Sequence, residues 1–407
     1  MEFREQEFIP VLFGSDLGAY SMARAFYEEY GVKSQVYGKY VASPCNYSNI
    51  INYTANESIE EDETFLRIVN ELAASTTKKL VIFGFGDSYL RLVSRNKPQL
   101  PANAVTPYVD LEPMDRLINK RRFYGLCEEL GIDYPGTYVI TRDQSDIIDM
   151  PFDFPIILKP ADSADYFLHH FEGQNKVYKL NTLSEVRTTI AQIYSSGYSN
   201  DLIMQEYIPG DDSAMYVLTN YSSHDAKVRM MCLGHTLLEE HTPMGRGNHA
   251  LIVTEHNEII INQAKKLLEH VAYTGFSNLD IKYDRRTGTY RFFELNARQG
   301  RSNYYVTNAG INMAKLPVED LVYGRNPEEL IIGEPGHVWS VLPKGVAVKY
   351  ANLKAVSPEA AQKIERGDFT NPLFMKGDLG LQRWARLMKN HLRQFGNYRT
   401  YYHPEEG

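Results

Sequence analysis

A chain of 407 residues, 43% apolar and 23% charged, is long enough for two to four domains with real cores and has an ordinary globular composition. Its net charge of −8 argues against a nucleic-acid binder, which needs a basic stripe on its main body. Three scattered cysteines (Cys45, Cys127, Cys232) suggest neither a disulfide framework nor a zinc site and fit a reducing cytoplasm. The start, MEFREQEF, lacks the basic-then-apolar pattern of a signal peptide, and no apolar run approaches a membrane span. A soluble cytoplasmic protein is expected.

The first hundred residues alternate strand and helix. FIPVLFGSD is an apolar run ending in Gly14-Ser15-Asp16, and a helix is expected over Tyr20–Tyr30. A strand over Ser34–Tyr37 follows, and KKLVIFGFGD repeats the strand-then-glycine design at Leu80–Asp87. This is a doubly wound α/β pattern, whose ligands bind beyond the carboxyl ends of the strands. Gly14-Ser15-Asp16 and Gly84-Phe85-Gly86-Asp87 are therefore candidate substrate loops. Neither completes the glycine spacing of a dinucleotide-binding fold, which counts against a nicotinamide enzyme.

A linker through Pro101 and Pro107 leads to one expected helix, MDRLINKRRFYGLCEELG, closed by Gly131. In the strand FPIILKP, Lys159 ends an apolar run directly before Pro160. A cation at a buried strand end calls for an anion, and phosphate is a natural one; an exposed strand-end lysine is the plain alternative. LIMQEYIPGDD reads as a further strand ending in Pro209-Gly210 and two aspartates, and AMYVLTNY and KVRMMCLGH are strand-like.

FSNLDIKYDRRTGTYRFFELNARQG reads as two strands around a turn at Asp284–Gly288. Folded about that turn, Asp280 is expected opposite Glu294 and Asn278 opposite Asn296, all four on one face. Carboxylates paired across strands repel, unless a hard cation lies between them. Asp280, Glu294 and the amide oxygen of Asn296 form a ligand set that Mg²⁺ accepts. A solvated hairpin face is the competing explanation.

The histidines (His169, His170, His235, His241, His249) form no metal-ligand spacing with carboxylates of clear role and read as surface or core residues, His235 being a modest exception. Residues 376–407 carry a net +3, leaving −11 on the rest. There Leu381, Trp384, Leu387, Met388, Leu392 and Phe395 recur at helical spacing, with Arg383, Arg386, Lys389 and Arg393 between them. The helix is expected to pack its apolar stripe on the domain; lying on an anionic membrane is the alternative.

A strand-end lysine in IILKP, then QEYIPGDD, then a D…ELNAR hairpin resembles the ATP-grasp superfamily of carboxylate–amine ligases over roughly residues 110–325. The finer resemblance, in FGSDLGAYSMARAFYEEYG, FPIILKPADSADYF, QEYIPGDDSAM, RMMCLGH, GFSNLDIKYD and ELNARQGRS, is to the D-aspartate ligases of Gram-positive peptidoglycan synthesis. It implies an α/β (α+β) ATP-grasp fold: an N-terminal doubly wound substrate domain (1–110), small (111–205) and large (206–335) ATP-grasp subdomains, and a C-terminal extension (336–407). It implies ATP and Mg²⁺ as cofactors, two metal ions, with Mn²⁺ an alternative.

Lys120 and Lys159 resemble the two nucleotide-contacting lysines, Glu206, Tyr207 and Ile208 the adenine hinge, and Asp212 a ribose-binding acid. Asp280, Glu294 and Asn296 match the metal ligands. Arg298 and Arg301 resemble the arginines that follow the metal motif; Arg298 would neutralise the acyl phosphate, with Arg301 and Arg246 candidates for a second substrate carboxylate. One departure is the absence of a glycine-rich phosphate loop after Lys159, where the sequence reads Pro160-Ala161-Asp162-Ser163-Ala164-Asp165-Tyr166. Ser163 and backbone N–H groups would have to serve instead.

The implied activity activates the β-carboxylate of D-aspartate for the lysine amine of a peptidoglycan precursor, in the cytoplasm or at the inner membrane face. Other ATP-grasp amino-acid or dipeptide ligases share the same nucleotide machinery, and a non-catalytic nucleotide-binding regulator is the reading from another class. A homodimer is an expectation by analogy.

Overall fold

The computed structural model describes residues 1–41, 44–144, 151–243 and 245–403, with the side chains of Gln144, Ser163 and Ala164 left out. The chain forms two compact units, one of residues 1–112, 211–280 and 296–407, the other of residues 113–210 and 281–295.

In the larger unit, β1 (Phe8–Phe13), β2 (Ser34–Gly38), β3 (Ile51–Ala55), β4 (Lys79–Gly84) and β5 (Ala104–Val105) make a parallel sheet of order β3-β2-β1-β4-β5. Parallel strands are covered on both faces, which is why β1 and β4 read as unbroken apolar runs. Val11, Leu12, Ile82 and Phe83 are fully buried, each contributing roughly 1.5–3 kcal/mol by leaving water. The strand order reverses between β1 and β4, so the two glycine loops that follow them lie at the topological switch point. Gly14 is held at φ +105°, and a Cβ there would stand 2.9 Å from the Phe85 carbonyl oxygen, so the loops approach as only glycine permits. Asp16 caps the helix Leu17–Tyr30 by accepting from the Ala19 N–H at 3.0 Å, one turn earlier than the sequence pattern suggests.

In the smaller unit, β6 (Thr137–Ile140), β7 (Ile156–Pro160), β8 (Tyr178–Leu180) and β9 (Leu202–Glu206) pair antiparallel in the order β6-β9-β7-β8. Ile156, Leu158, Val186, Ile190, Ile193 and Met204 share their core with the helix Leu183–Ser195. The single helix expected before Gly131 is two, Leu111–Ile118 and Lys120–Leu130. Asn119 leaves helical geometry (ψ 115°) and accepts from the Arg122 N–H, capping the second helix with Lys120 as its first residue. Gly131 ends it in the left-handed conformation (φ 65°), as expected.

A seven-stranded sheet runs β14-β13-β10-β11-β12-β16, with β15 beside β11: β10 (Met215–Ser222), β11 (Val228–Glu239), β12 (His249–Glu255), β13 (Gly275–Asp284), β14 (Thr289–Asn296), β15 (Ile331–Ile332) and β16 (Val338–Ser340). The turn between β13 and β14 closes where the sequence indicates, with the Gly288 N–H donating to the Asp284 carbonyl at 2.8 Å. All three cysteines are buried and none forms a disulfide, and burial pushes the Cys127 thiol up to about 12. Among the described residues no helix is long and apolar enough to cross a membrane.

The C-terminal helix, Leu381–Tyr401, corrects one expectation. Its apolar stripe is packed inward only in part: Leu387 is buried and Met388 half-buried, but Leu381, Trp384, Leu392 and Phe395 are exposed, and Arg383 and Tyr398 are buried in their place. Arg383 is drawn in by specific partners. It donates to the carbonyls of Pro44 and Asn46, lies 3.4 Å from the Asp378 carboxylate, and sits 4.2 Å above the Tyr20 ring. A desolvated guanidinium is tolerated only with such an anion and acceptors.

Candidate active site

In the smaller unit the two lysines are buried. Lys120, at the start of its helix, has Nζ 3.4 Å from Glu294 Oε2. Lys159 leaves β7 with Nζ donating to the Tyr124 hydroxyl at 3.2 Å and lying 5.6 Å from the Phe293 ring centre. Burial raises the Tyr124 pKa far above the ordinary phenol value, so its hydroxyl stays protonated and donates to the Phe293 carbonyl at 2.7 Å. The exposed strand-end alternative for Lys159 is therefore excluded.

After Lys159 the glycine-free stretch forms one short helix, Ser163–Tyr166. Asp162 accepts from the Asp165 N–H, and Asp165 accepts from the Asn200 amide, so both aspartates are engaged in holding the segment. The side chain of Ser163 lies outside the described residues.

Glu206 ends β9 with one oxygen accepting from the Gly136 N–H at 2.8 Å and the other from Arg286 at 2.9 Å. Arg286 is held in turn by Asp284, whose carboxyl pKa it lowers. Tyr207 lies beneath Lys179 (Nζ 4.1 Å from the ring centre) and Lys282 (5.8 Å), and Ile208 is buried. Lys179 carries no motif and is not singled out by the sequence; only the pairing of β7 with β8 brings its strand here.

In the larger unit, the Asn296 amide donates to Asp280 Oδ2 at 3.1 Å. Glu294 precedes Asn296 by two residues on β14, so both side chains leave the same face. A half-turn of the Asn296 amide presents its oxygen instead, and carboxylate and amide oxygens are hard donors of the kind Mg²⁺ accepts. Among the described residues no group of three or more His, Cys, Asp or Glu is arranged as a metal site, so the candidate set depends on that amide. Asn278 accepts from Thr219 Oγ1 at 2.7 Å.

His249, read as unremarkable in the sequence, stands beside this set. Its Nε2 is 3.9 Å from Asp280 Oδ1, and its Nδ1 is 2.9 Å from Thr236 Oγ1 and 3.9 Å from Glu239. Burial disfavours the imidazolium, yet the Asp280 and Glu239 carboxylates raise its pKa above the ordinary value. Burial likewise raises the Glu239 carboxyl. Asp212 accepts from the Glu239 N–H at 2.9 Å and His241 Nε2 at 2.8 Å. His235 is fixed between the Ser213 carbonyl and Glu255, both at 2.7 Å, and reads as structural.

The segment after β14 is fastened to the parallel sheet. Tyr108 donates to the Gln299 side-chain oxygen, whose amide donates to the Gly84 carbonyl; Asn303 donates to the Gly18 carbonyl. This sets Arg298 at the switch point, with Nε donating to Asp87 Oδ1 at 2.6 Å. Burial works against the Arg298 charge, and Asp87 more than offsets it. Arg301 pairs with Glu240 at 3.0 Å, while Arg246 is exposed.

The fold is that of ATP-grasp ligases. Similar solved structures include the biotin carboxylase domain of 2-oxoglutarate carboxylase from Hydrogenobacter thermophilus, in complex with MgADP and bicarbonate (TM-score 0.60, 13% identity, 80% of this chain and 72% of that one). An L-amino acid ligase from Bacillus licheniformis is another (TM-score 0.53, 12% identity, 78% and 75%). No family model matches the chain. Over its whole length it is 38% identical to a D-aspartate ligase of Enterococcus faecium (strain Aus0004), covering 99% of this chain and 98% of that protein. A D-alanine–D-alanine ligase of Wolbachia pipientis (subsp. Culex pipiens, strain wPip) is 24% identical over 52% of this chain and 66% of its own. The chain belongs to the D-aspartate ligase family and is an ATP-dependent carboxylate–amine ligase.

Proposed function

We propose that the protein uses ATP to activate the β-carboxylate of D-aspartate as an acyl phosphate and joins it to the lysine side-chain amine of a peptidoglycan stem-peptide precursor. The observation that carries this reading is Arg298 at the switch point of the parallel sheet, in a chain related end to end to a D-aspartate ligase.

A carboxylate is a poor electrophile. Its oxygen therefore attacks the γ-phosphorus of ATP, releasing ADP; the amine nitrogen then attacks the carbonyl carbon, releasing phosphate and a proton to water or phosphate. Bringing anions together makes charge neutralisation and alignment the main demands. Lys120 and Lys159 would supply fixed positive charge to the phosphates, their burial keeping water from screening it. Glu206, Tyr207 and Ile208 would line the adenine site, and Asp212 would hold the ribose. Asp280, Glu294 and Asn296 would hold Mg²⁺, two ions in the fullest form, which supply charge neutralisation to the polyphosphate. Arg298 would neutralise the acyl phosphate and its tetrahedral successor, and Arg301 would take the second carboxylate of aspartate, using the planar fork of each.

Hydroxylamine trapping with MgATP tests this without any precursor, because hydroxylamine intercepts the acyl phosphate. Hydroxamate is expected with D-aspartate and not with L-aspartate or D-alanine. Product with another acid alone would sink the cell-wall assignment while keeping the ligase class.

A further inference from the structure

We propose that the C-terminal helix is a docking surface for an anionic lipid bilayer, lying in the plane of the headgroups. Residues 381, 384, 388, 392 and 395 fall three or four apart, so their side chains share one face of the helix. Four of the five point to solvent, Leu381 82%, Trp384 44%, Leu392 55% and Phe395 46% exposed, with Met388 half-buried among them. That face is distinct from the face held inward by Arg383, Leu387 and Tyr398, so the helix is anchored on one side and apolar on another. Exposed leucine, tryptophan and phenylalanine in one row are a contact surface, unlike single scattered apolar residues.

Charge selects the occupant. From Leu379 to His403 there is no Asp or Glu, while Arg386, Lys389, Arg393 and Arg399 line the helix, against −11 on residues 1–375. The neighbouring helix Lys344–Tyr350 adds Lys344, Lys349 and the exposed Val348; Gly345 on it faces the Phe395 ring. A second copy of this helix would bring like charges together, whereas anionic headgroups meet both features at once. With polar and charged residues on its other sides, the helix lies on a bilayer and does not cross it. An aromatic ring at the edge of such a face is suited to the headgroup layer.

Trp384 provides the readout, since the only other tryptophan, Trp339, is fully buried. The full chain is titrated with vesicles of phosphatidylcholine alone and of phosphatidylcholine mixed with phosphatidylglycerol. Binding with a blue-shifted Trp384 emission is expected only for the mixed vesicles, weakening as salt is raised. The double variant Leu392→Ser, Phe395→Ser is expected to weaken binding by about tenfold or more, with hydroxamate formation and thermal melting unchanged. Absence of binding to the mixed vesicles, or binding that the double variant leaves intact, overturns the proposal. So does a concentration-dependent dimer, seen by sedimentation and lost in that variant, which would make the stripe a self-contact. None of these outcomes depends on which acid the enzyme activates.

Discussion

The two units hold their candidate site cations in different ways. In the smaller unit Lys159 is lodged against the Tyr124 hydroxyl and the Phe293 ring, and Lys120 lies 3.4 Å from Glu294, a loose contact. In the larger unit Arg298 and Arg301 are each paired closely with a carboxylate, Arg298 with Asp87 at 2.6 Å and Arg301 with Glu240 at 3.0 Å. Aromatic walls position an ammonium and neutralise it little, whereas a carboxylate partner cancels much of a guanidinium's field. Under the proposed function the lysines would be preset for an anion that arrives with high charge. The arginines would have to exchange or share a partner, which would tie their action to the substrate present.

That difference predicts unequal losses. Lys159→Ala and Glu294→Gln are expected to cause the largest, a fall in ATP turnover of roughly 10²–10³-fold or more, the scale of removing a preorganised electrostatic group. Both variants should keep a cooperative melt close to that of the parent. ADP release by a coupled assay decides; near-normal turnover in either variant removes its phosphate or metal assignment.

Arg298→Lys should cost less, about tenfold to a hundredfold in hydroxamate formation, since charge remains but the fork is lost. The loss should fall on kcat more than on KM if the guanidinium acts on the developing acyl phosphate. A change confined to KM would instead make Arg298 a binder of the ground-state acid.

The parts of the site that the sequence reveals are those with a strong local pattern. The apolar runs of β1 and β4, the left-handed cap at Gly131 and the turn at Asp284–Gly288 each follow from backbone preference, and all appear in the structure. The break at Asn119 was hidden because residues on both sides favour helix; only the side-chain cap betrays it. Arg383 reads as a solvated residue until Asp378, Pro44 and Tyr20, distant in the chain, surround it. His249 and Lys179 gain meaning from strand pairing, which one sequence does not display. Local physics was legible; long-range partners were not.

The smallest expected effect is the sharpest test of the contrast between units. If Glu240 competes with substrate for Arg301, Glu240→Gln releases that guanidinium and lowers the KM for D-aspartate while leaving kcat unchanged. The pair is partly exposed, with the Arg301 side chain 35% accessible. Solvent screening limits such a pair to about 0–1 kcal/mol, so KM should fall by no more than about fivefold. A rise in KM would mean that Glu240 orients Arg301 for the substrate carboxylate, and the larger unit would then be preset in the same sense as the smaller one.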